Sequence, residues 1–300
     1  MNYTTAIVMS TYNGEKYIVE QLDSIKNQTF QPDKVVISDD KSTDCTVAII
    51  KEYIKKNNLL NWSIQVNEKN IGWKKNFFHL LEECDADLIF LSDQDDVWNI
   101  HKLEIMVPYF KNENISVLVS DYVNKKNNLI FQKRQEFKLK IEQLKFSEKY
   151  LYGIPYPGCS YCIRKSFFES IKKYYKDFLP HDAFIYRNAL LLNKIYKINQ
   201  NLIIHRLHGN NAGSSSSASR KNDIEYYKEV NKLLLCLFKD EKEIPKKYQD
   251  IILKSNNWLE LRSKFFATKK ITFYVKLLNY LSYYPHFKTY IRDFFIVYFE

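Results

Sequence analysis

The feature that constrains this chain most is an apolar run that ends abruptly in an acidic cluster. Residues 88–91 have the length and composition of a buried strand, and Ser92-Asp93-Gln94-Asp95-Asp96 follows directly. In an open sheet flanked by helices, ligands bind at the carboxyl ends of the strands, where this cluster would lie. Carboxylates this close repel one another unless a cation or protons neutralise them. The cluster therefore indicates either a divalent metal that holds a phosphate or a solvated acidic turn that caps the next helix.

Strands and helices alternate before this cluster. Short apolar runs predict strands at residues 6–9, 35–37 and 62–66, ahead of the strand at 88–91. Apolar residues at helical spacing follow each of the first three strands. Right-handed strand-helix-strand units of this kind build a parallel sheet with helices on its faces. We therefore predict an α/β fold with a mostly parallel sheet flanked by helices.

The loops after these strands carry candidate ligand contacts. Thr11, Tyr12 and Asn13 follow the first strand, Asp39 ends the second and the acidic cluster ends the fourth. Because the carboxyl ends of parallel strands meet at one edge of a sheet, we expect a pocket for a base, a ribose and a metal-bound diphosphate. The glycine patterns of dinucleotide sites and P-loops do not occur. An EF-hand loop counted from Asp93 would place Trp98 where glycine is required.

Composition limits the class of protein. The 300 residues are 45% hydrophobic and 27% charged, which suits one sizeable globular domain with an appendage, or two small domains. The five cysteines are scattered and no basic-then-apolar secretory signal opens the chain, so we expect reduced thiols and a cytoplasmic location. Cys159-x-x-Cys162 has no second pair of this kind, which disfavours a zinc site.

The charge balance favours anionic partners. Lysine and arginine number 45 against 35 acidic residues, so the net charge is +10. Such a surface suits phosphates, nucleic acid or an anionic membrane. No apolar run has the length of a transmembrane helix.

Several segments resemble the motifs of glycosyltransferase family 2, and within it the bacterial rhamnosyltransferase-type enzymes. They are Ser10-Thr11-Tyr12-Asn13-Gly14, residues 38–44, Asn70-Ile71-Gly72 and residues 92–98, with two further motifs before Gly213. The resemblance implies a GT-A fold, which is Rossmann-like, and a metal-dependent transfer of a sugar from a nucleotide diphosphate to a hydroxyl. One departure is Lys41, which stands at a turn position where the family usually has glycine.

The resemblance assigns donor-side roles. Thr11, Tyr12, Asn13 and Asn70 contact the nucleotide, and Asp39 accepts a hydrogen bond from the imide nitrogen of uracil or thymine. Asp93-Gln94-Asp95 is the D-x-D motif, in which Asp95 binds Mn²⁺ or Mg²⁺ and Asp93 lies near the ribose or donor sugar. Asp93 and Asp96 are further candidate metal ligands. A cation here stabilises the negative charge that grows on the departing diphosphate.

The second half carries candidates for the acceptor side. Gly158 and Cys159 lie in a loop rich in glycine and proline, which is either a turn chosen for its backbone shape or, by the resemblance, the border of the acceptor site. His181-Asp182 opens a predicted helix, where the helix dipole by itself favours an acidic residue. By the resemblance, Asp182 is the general base and His181 positions it. One base with a metal-assisted leaving group suits a single displacement with inversion, whereas glycosidic hydrolysis needs two carboxylates.

Residues 205–213 follow two short predicted strands, at 195–198 and 202–204, and resemble the segment that closes the donor site. Arg206 is therefore a candidate diphosphate contact and His208 a candidate third metal ligand, although an isolated histidine is more often structural. An imidazole ligand favours Mn²⁺ over Mg²⁺. The serine-rich residues 214–221 are predicted to be flexible, either as a lid or as a linker.

The remaining residues, 222–300, lack glycine and have apolar residues at helical spacing, so we predict a glycosyltransferase domain over 1–213 and a helical appendage over 222–300. Residues 261–292 mix aromatic residues with seven basic and no acidic ones: Arg262, Lys264, Lys269, Lys270, Lys276, Lys288 and Arg292. Three interpretations stay open: peripheral binding to the anionic inner face of the plasma membrane, a solvated rim around an aromatic core, or a dimer contact. No nucleic-acid motif accompanies the charge.

The sequence thus predicts an inverting enzyme that uses a dTDP- or UDP-sugar, with dTDP-rhamnose as the specific expectation. The acceptor would be a hydroxyl of a bacterial surface polysaccharide or a lipid-linked saccharide. A sugar-phosphate nucleotidyltransferase is disfavoured because residues 5–15 contain no glycine-rich loop with an arginine. A non-catalytic saccharide-binding or membrane-scaffold protein that kept the fold is the other alternative, and the acidic residues argue against it.

Overall fold

The computed structural model describes residues 3–125, 139–207, 220–242 and 244–299. The strands are β1 (Thr5–Thr11), β2 (Lys34–Asp39), β3 (Trp62–Val66), β4 (Leu88–Asp93), β5 (Val97–Trp98), β6 (Val117–Lys125), β7 (Ile141–Gln143), β8 (Tyr161–Arg164) and β9 (Ile195–Arg206). The helices are α1 (Ile18–Lys26), α2 (Thr46–Lys56), α3 (Trp73–Glu83), α4 (Lys102–Met106), α5 (Glu148–Tyr152), α6 (Lys165–Ile171), α7 (His181–Leu191), α8 (Arg220–Asp240), α9 (Lys246–Thr268), α10 (Ile271–Lys276) and α11 (Phe287–Phe299).

The strands form one mixed sheet in the order β3-β2-β1-β4-β8-β6-β9-β5, with β7 paired to β9. The first four strands are parallel, as the alternation of strands and helices predicts. Beyond β4 the directions vary, because β8 lies antiparallel between β4 and β6, while β6 and β9 run parallel. The α/β fold with helices around a central sheet is confirmed, and its parallel part carries the loops predicted to bind the donor.

Strand β1 shows why the central strands are continuously apolar. All seven residues of β1 are buried. A strand that is covered on both faces cannot alternate apolar and polar residues, because both sets of side chains enter the core. The same holds for the apolar part of β4, Leu88 to Leu91, whose side chains are fully buried.

Strand β9 is one long strand where the sequence predicts two short ones. It pairs with β6, and the register shifts around Ser120, Asp121 and Tyr122. Residues 199–201 of β9, which are polar, lie at this irregularity, where a bulge turns side chains away from the regular alternation. The interruption in the apolar pattern therefore marks a bulge and not the end of a strand.

The chain divides into two compact units. The first contains the sheet and comprises Met1–Leu144, Tyr156–Ala189 and Lys194–Asn210. The second comprises Lys145–Pro155, Leu190–Asn193 and Asn211–Glu300, and in its described residues it is helical. Within the second unit, Tyr152 on α5 donates a 3.0 Å hydrogen bond to Asn231 on α8. None of the helices in the described residues is long and apolar enough to cross a membrane.

Candidate active site

The loop after β1 is held by side chains from the loop after β2. Asn13 adopts a left-handed φ of 49°, a conformation in which asparagine is enriched. Its Oδ1 accepts a 2.8 Å hydrogen bond from the backbone N–H of Thr43, and its own N–H donates at 2.8 Å to Ser42 Oγ. The two loops predicted to bind the nucleotide therefore form one structure.

The carboxylate of Asp39 is fully buried at the end of β2. It accepts hydrogen bonds from the hydroxyls of Thr11 at 2.8 Å and Ser42 at 2.6 Å, and from the backbone N–H of Ser42 at 2.7 Å. An ionised carboxylate has about four acceptor sites. Asp39 thus has its orientation fixed by three donors and keeps acceptor capacity for a ligand.

Asp40 has a role that the sequence analysis missed. Its oxygens accept 2.8 Å hydrogen bonds from the backbone N–H groups of Ile71 and Gly72, and a 2.9 Å bond from Asn67 Nδ2. The predicted nucleotide contact Asn70 lies, exposed, within the turn that Asp40 holds. The doubled aspartate at the end of β2 is the signal that could have indicated a second, structural carboxylate.

Lys41 adopts the conformation that glycine would favour. Its φ is 66°, in the left-handed region. This conformation costs an L-residue roughly 1–2 kcal/mol, because Cβ approaches the carbonyl oxygen. The chain therefore makes the tight turn without the usual glycine, at a conformational cost.

Gln94, the middle residue of the D-x-D motif, binds the loop after β1. Its Oε1 accepts a 2.9 Å hydrogen bond from the backbone N–H of Tyr12, and its Nε2 donates at 2.9 Å to the carbonyl of Tyr12. A Cβ atom at Gly14 would lie 2.2 Å from Gln94 Oε1. A side chain at position 14 would have to displace the Gln94 amide from its two hydrogen bonds with Tyr12, so the acidic loop and the loop after β1 are tied together.

The acidic cluster lies partly inside the protein. Asp96 is fully buried, and neither of its carboxylate oxygens has a hydrogen-bond partner among the described residues. Burial and the charge of Asp95 raise the pKa of Asp96 to about 7. Burial, together with the charges of Asp96, Asp95 and Asp182, raises the pKa of Asp93 well above its usual range.

The ligand atoms of Asp93, Asp96 and Cys159 lie within 4.8 Å of one another. The raised pKa values of Asp93 and Asp96 and the unpartnered oxygens of the buried Asp96 fit a cation site, because a cation would remove the repulsion between the carboxylates and satisfy the lone pairs of Asp96. Carboxylate oxygens are the ligands that Mg²⁺ and Mn²⁺ prefer. Asp95, the ligand that the resemblance favours, is not in this group of three. Its charge nevertheless helps to raise the pKa values of Asp93 and Asp96.

Lys102 on α4 is a fully buried lysine that the sequence analysis did not identify. Its Nζ donates a 2.6 Å hydrogen bond to the carbonyl of Cys159 and lies 3.3 Å from the ring centroid of Trp98. Burial lowers the pKa of Lys102 to about 7, while the charges of Asp96 and Asp93 raise it. Lys102 in turn favours the ionised forms of both carboxylates. No signal in the sequence distinguishes Lys102 from an ordinary surface lysine.

Arg206 lies at the acidic loop, as predicted, but its guanidinium is engaged there. It donates to the backbone carbonyls of Asp95 and, at 3.2 Å, Asp96. It also pairs with Glu20 at 2.5 Å. These bonds make Arg206 a support of the acidic loop, and its diphosphate contact stays a prediction. His208 lies outside the described residues, as do residues 214–219 of the serine-rich segment.

The predicted base lies at the start of α7. Asp182 Oδ1 accepts a 2.7 Å hydrogen bond from the N–H of Ala183, as a carboxylate in a first helical turn does. Its charge also raises the pKa of Asp93. A Cβ atom at Gly158 would lie 3.3 Å from Asp182 Cβ and 3.0 Å from His181 Nε2. The structure therefore brings Gly158, Asp182 and the D-x-D motif together.

His181 is buried beside this base. Its ring stacks on Phe77 with centroids 4.0 Å apart and meets Trp73 edge-on at 5.9 Å. Neither ring nitrogen has a hydrogen-bond partner among the described residues. Burial lowers the pKa of His181 to about 4, so the ring is neutral at physiological pH.

Comparison with known proteins identifies the family of the chain. Residues 6–171 match the family model described as glycosyl transferase family 2. The chain is 31% identical over 283 residues to dTDP-rhamnosyl transferase RfbG of Shigella flexneri, which covers 85% of this chain and 94% of that protein. It is also 24% identical to glycosyltransferase GlyG of Streptococcus pneumoniae over 69% of this chain and 71% of that protein.

Solved structures show the same fold. Staphylococcus aureus TarS 1-349 in complex with UDP-GlcNAc is 21% identical with a TM-score of 0.67, covering 97% of this chain and 81% of that one. Mannosyltransferase PcManGT of Pyrobaculum calidifontis, in complex with GDP-Man and Mn²⁺, is 14% identical with a TM-score of 0.58, covering 99% and 84%. The GT-A fold implied by the sequence motifs is confirmed, and the chain belongs to glycosyl transferase family 2.

Proposed function

We propose that this protein transfers a sugar, with inversion, from a nucleotide diphosphate donor to a hydroxyl of a bacterial surface polysaccharide or lipid-linked saccharide. The proposed donor is dTDP-rhamnose, because the relative RfbG is named a dTDP-rhamnosyl transferase and is similar along most of its length. A UDP-sugar is the alternative donor.

One observation carries this proposal. A Cβ atom at Gly158 would lie 3.3 Å from the Cβ atom of Asp182, the residue we assign as general base. The thiol of the next residue, Cys159, lies within 4.8 Å of carboxylate oxygens of Asp93 and Asp96, so the base and the D-x-D motif border the same loop. A base on one side and a diphosphate site on the other are the two requirements of a single displacement.

The acidic loop would hold the metal. Asp95 is the proposed principal ligand, with Asp93, Asp96 and His208 as further candidates, and the cation is Mn²⁺ or Mg²⁺. When bound, the cation supplies positive charge to the diphosphate leaving group. Gln94 and Arg206 orient this loop through Tyr12 and through the carbonyls of Asp95 and Asp96.

The remaining residues bind and orient. Asp39 is held by Thr11 and Ser42 and accepts a hydrogen bond from the uracil or thymine ring of the donor. Tyr12, Asn13 and Asn70 line the nucleotide site. On the acceptor side, Asp182 takes the proton of the acceptor hydroxyl. The acceptor oxygen then attacks the anomeric carbon from the side opposite the departing diphosphate. Gly158, Cys159 and the neutral His181 border that hydroxyl.

We also propose how the chain is organised in the cell. The transferase domain spans residues 1–213, a flexible connection lies within residues 214–221, and residues 222–300 belong to the helical region. Helix α8 already begins at Arg220, so the helical region includes the last two residues of that connection. The protein would act in the cytoplasm, and residues 261–292 would bind it peripherally to the anionic inner face of the plasma membrane.

Release of nucleoside diphosphate tests the proposal. Purified protein is incubated with dTDP-rhamnose or single UDP-sugars and an oligosaccharide acceptor, with Mn²⁺, with Mg²⁺ or with a chelator. We expect release with one donor that stops on chelation and falls by at least about 100-fold in Asp95→Ala. Asp85→Asn is the matched control, because Asp85 is exposed and lies before the start of β4, away from its acidic end. Release that resists chelation and Asp95→Ala would contradict the metal assignment.

A further inference from the structure

Helix α11 presents an apolar stripe to solvent. Phe287, Ile291, Phe295 and Phe299 recur every four residues and are 60%, 39%, 53% and 75% exposed. Residues four apart lie on one side of an α-helix. A solvated helix normally places polar residues on its outer side. The stripe is therefore a surface suited to a partner that takes up phenyl rings.

The inner side of α11 is fixed by the second unit itself. Tyr290 stacks on Tyr274 of α10 with centroids 4.4 Å apart. Asp293 is buried and accepts hydrogen bonds of 2.6 and 2.8 Å from Arg262 of α9. The orientation of the helix, and with it the exposure of the stripe, thus rests on a buried ion pair and an aromatic stack.

Exposed cations border the stripe. Lys288 and Arg292 each follow a residue of the stripe by one position, and both are exposed. Residues 261–299 contain four more exposed lysines: Lys264, Lys269, Lys270 and Lys276. Asp293 is the single acidic residue in this range, and it is buried. Within residues 261–299, no exposed acidic residue therefore offsets these cations. Arg262, which the sequence analysis counted among the basic residues of 261–292, is buried in the core.

The positive charge beside the stripe favours an anionic partner. A second copy of the chain would bring two cationic surfaces together, and like charges oppose such a contact. Anionic lipid headgroups complement the cations, and the acyl boundary accepts the rings. Lysine and arginine are long enough to keep their charges at headgroup depth while neighbouring rings insert.

We infer that α11 docks on an anionic membrane surface, with Phe287, Ile291, Phe295 and Phe299 inserted and Lys288 and Arg292 at the headgroups. This inference rests on the proposed function, which places the enzyme at the inner face of the plasma membrane. The predicted membrane-binding region, residues 261–292, is thereby replaced by the exposed side of a single helix, α11, which ends at Phe299.

Vesicle flotation of the full-length protein tests the inference. We expect binding to vesicles of phosphatidylcholine and phosphatidylglycerol, and weak binding to phosphatidylcholine alone. Ile291→Ser/Phe295→Ser and Lys288→Glu/Arg292→Glu should each lower the partition coefficient by at least about tenfold. The matched controls change exposed residues of the same unit on α9, namely Leu253→Ser and Lys246→Glu/Lys254→Glu, and should bind as the unchanged protein does. Circular dichroism confirms that every variant folds.

Equal binding of the α11 variants and the controls would overturn the inference, as would failure of the unchanged protein to bind anionic vesicles. If duplex DNA abolishes vesicle binding and buffer of the same salt concentration does not, the surface would be assigned to nucleic acid instead. Release of nucleoside diphosphate with an oligosaccharide acceptor is measured on the same samples. If the unchanged protein releases nucleoside diphosphate but does not bind anionic vesicles, only the membrane surface is refuted. If it binds the vesicles but releases no nucleoside diphosphate, only the proposed transfer is refuted.

Discussion

The side-chain amide of Gln94 pairs with the backbone of Tyr12 through two hydrogen bonds of 2.9 Å, one in each direction. This pairing joins the acidic loop after β4 to the loop after β1. It explains why the middle residue of the motif carries an amide, since a carboxylate there could accept a hydrogen bond from the N–H but donate none to the carbonyl.

Gly14 and Gln94 should show strong energetic coupling. A methyl group at position 14 would lie 2.2 Å from Gln94 Oε1 unless the amide moves and loses its two hydrogen bonds to Tyr12, so we expect Gly14→Ala to destabilise the fold by about 2 kcal/mol. Gln94→Ala removes the obstacle, and the double variant should therefore be more stable than the two single effects predict, by at least about 1 kcal/mol. Urea unfolding of the four proteins measures this. Additive effects would show that the contact does not constrain the loop.

Replacing Lys41 by glycine should stabilise the protein. The left-handed φ of 66° costs Lys41 about 1–2 kcal/mol, and the larger entropy of an unfolded glycine returns part of that gain. We expect a net increase of about 0.5 kcal/mol in the free energy of unfolding. Lys41→Ala is the control, because alanine loses the charge and keeps the strained φ. Equal stabilisation by alanine and glycine would attribute the effect to charge.

His181 should make stability fall in acid. Its folded-state pKa of about 4 lies below its ordinary value of 6.5, so the unfolded chain takes up the proton first. The stability that the neutral ring contributes is complete above pH 6.5 and is lost as the pH falls through about 4, by up to about 3 kcal/mol. The raised pKa values of Asp93 and Asp96 affect stability with the opposite sign, because a carboxyl group with a raised pKa favours the folded state as the pH falls. The effect of His181 is therefore measured as a difference between proteins with and without the ring.

We therefore compare unfolding between pH 7 and pH 4 for the unchanged protein and for His181→Gln. The variant should lose less stability over this range. His79→Gln, which removes an exposed histidine on α3, serves as the control and should behave like the unchanged protein. Parallel pH profiles for all three proteins would disprove the role of the buried ring.

Breaking the ion pair in the helical unit should be costly. Arg262 and Asp293 are 1% and 0% exposed, and Asp293→Asn leaves an uncompensated buried charge. We expect a loss of about 3–5 kcal/mol in the free energy of unfolding, whereas Arg262→Met/Asp293→Leu should lose far less. A single variant as stable as the double variant would mean that the pair is accessible to water in solution.

Local pattern predicted much of the architecture. The first four strands, the helices between them and the parallel pairing follow from apolar runs and helical spacing, which are clearest in β1 and β4 because these central strands are buried on both faces. The antiparallel insertion of β8 could not be predicted, since strand order depends on contacts between Leu88–Phe90 and Cys162–Arg164, far apart in sequence. The bulge in β9 could not be predicted either, because it depends on the pairing of β9 with β6, which lies far away in sequence.

Local sequence could indicate the positions of candidate site residues where a carboxylate stands at the end of a strand or the start of a helix. Asp39, Asp93 and Asp182 stand at strand ends and a helix start, where carboxylates have a local reason to be. Lys102 and Asp40 were missed because their roles depend on distant partners, the carbonyl of Cys159 and the N–H groups of residues 71 and 72. Arg262 was placed on the surface because its partner, Asp293, lies just beyond the basic stretch.

The role of Asp182 is the centre of this account, and one measurement tests it most directly. Turnover and donor affinity are determined side by side for the unchanged protein and for Asp182→Asn, which keeps the size of the side chain and removes the base. We expect release of nucleoside diphosphate to fall by about 10²–10⁴-fold while the dissociation constant of the donor stays the same. Unchanged turnover in Asp182→Asn, with the protein folded and donor bound, would contradict the account.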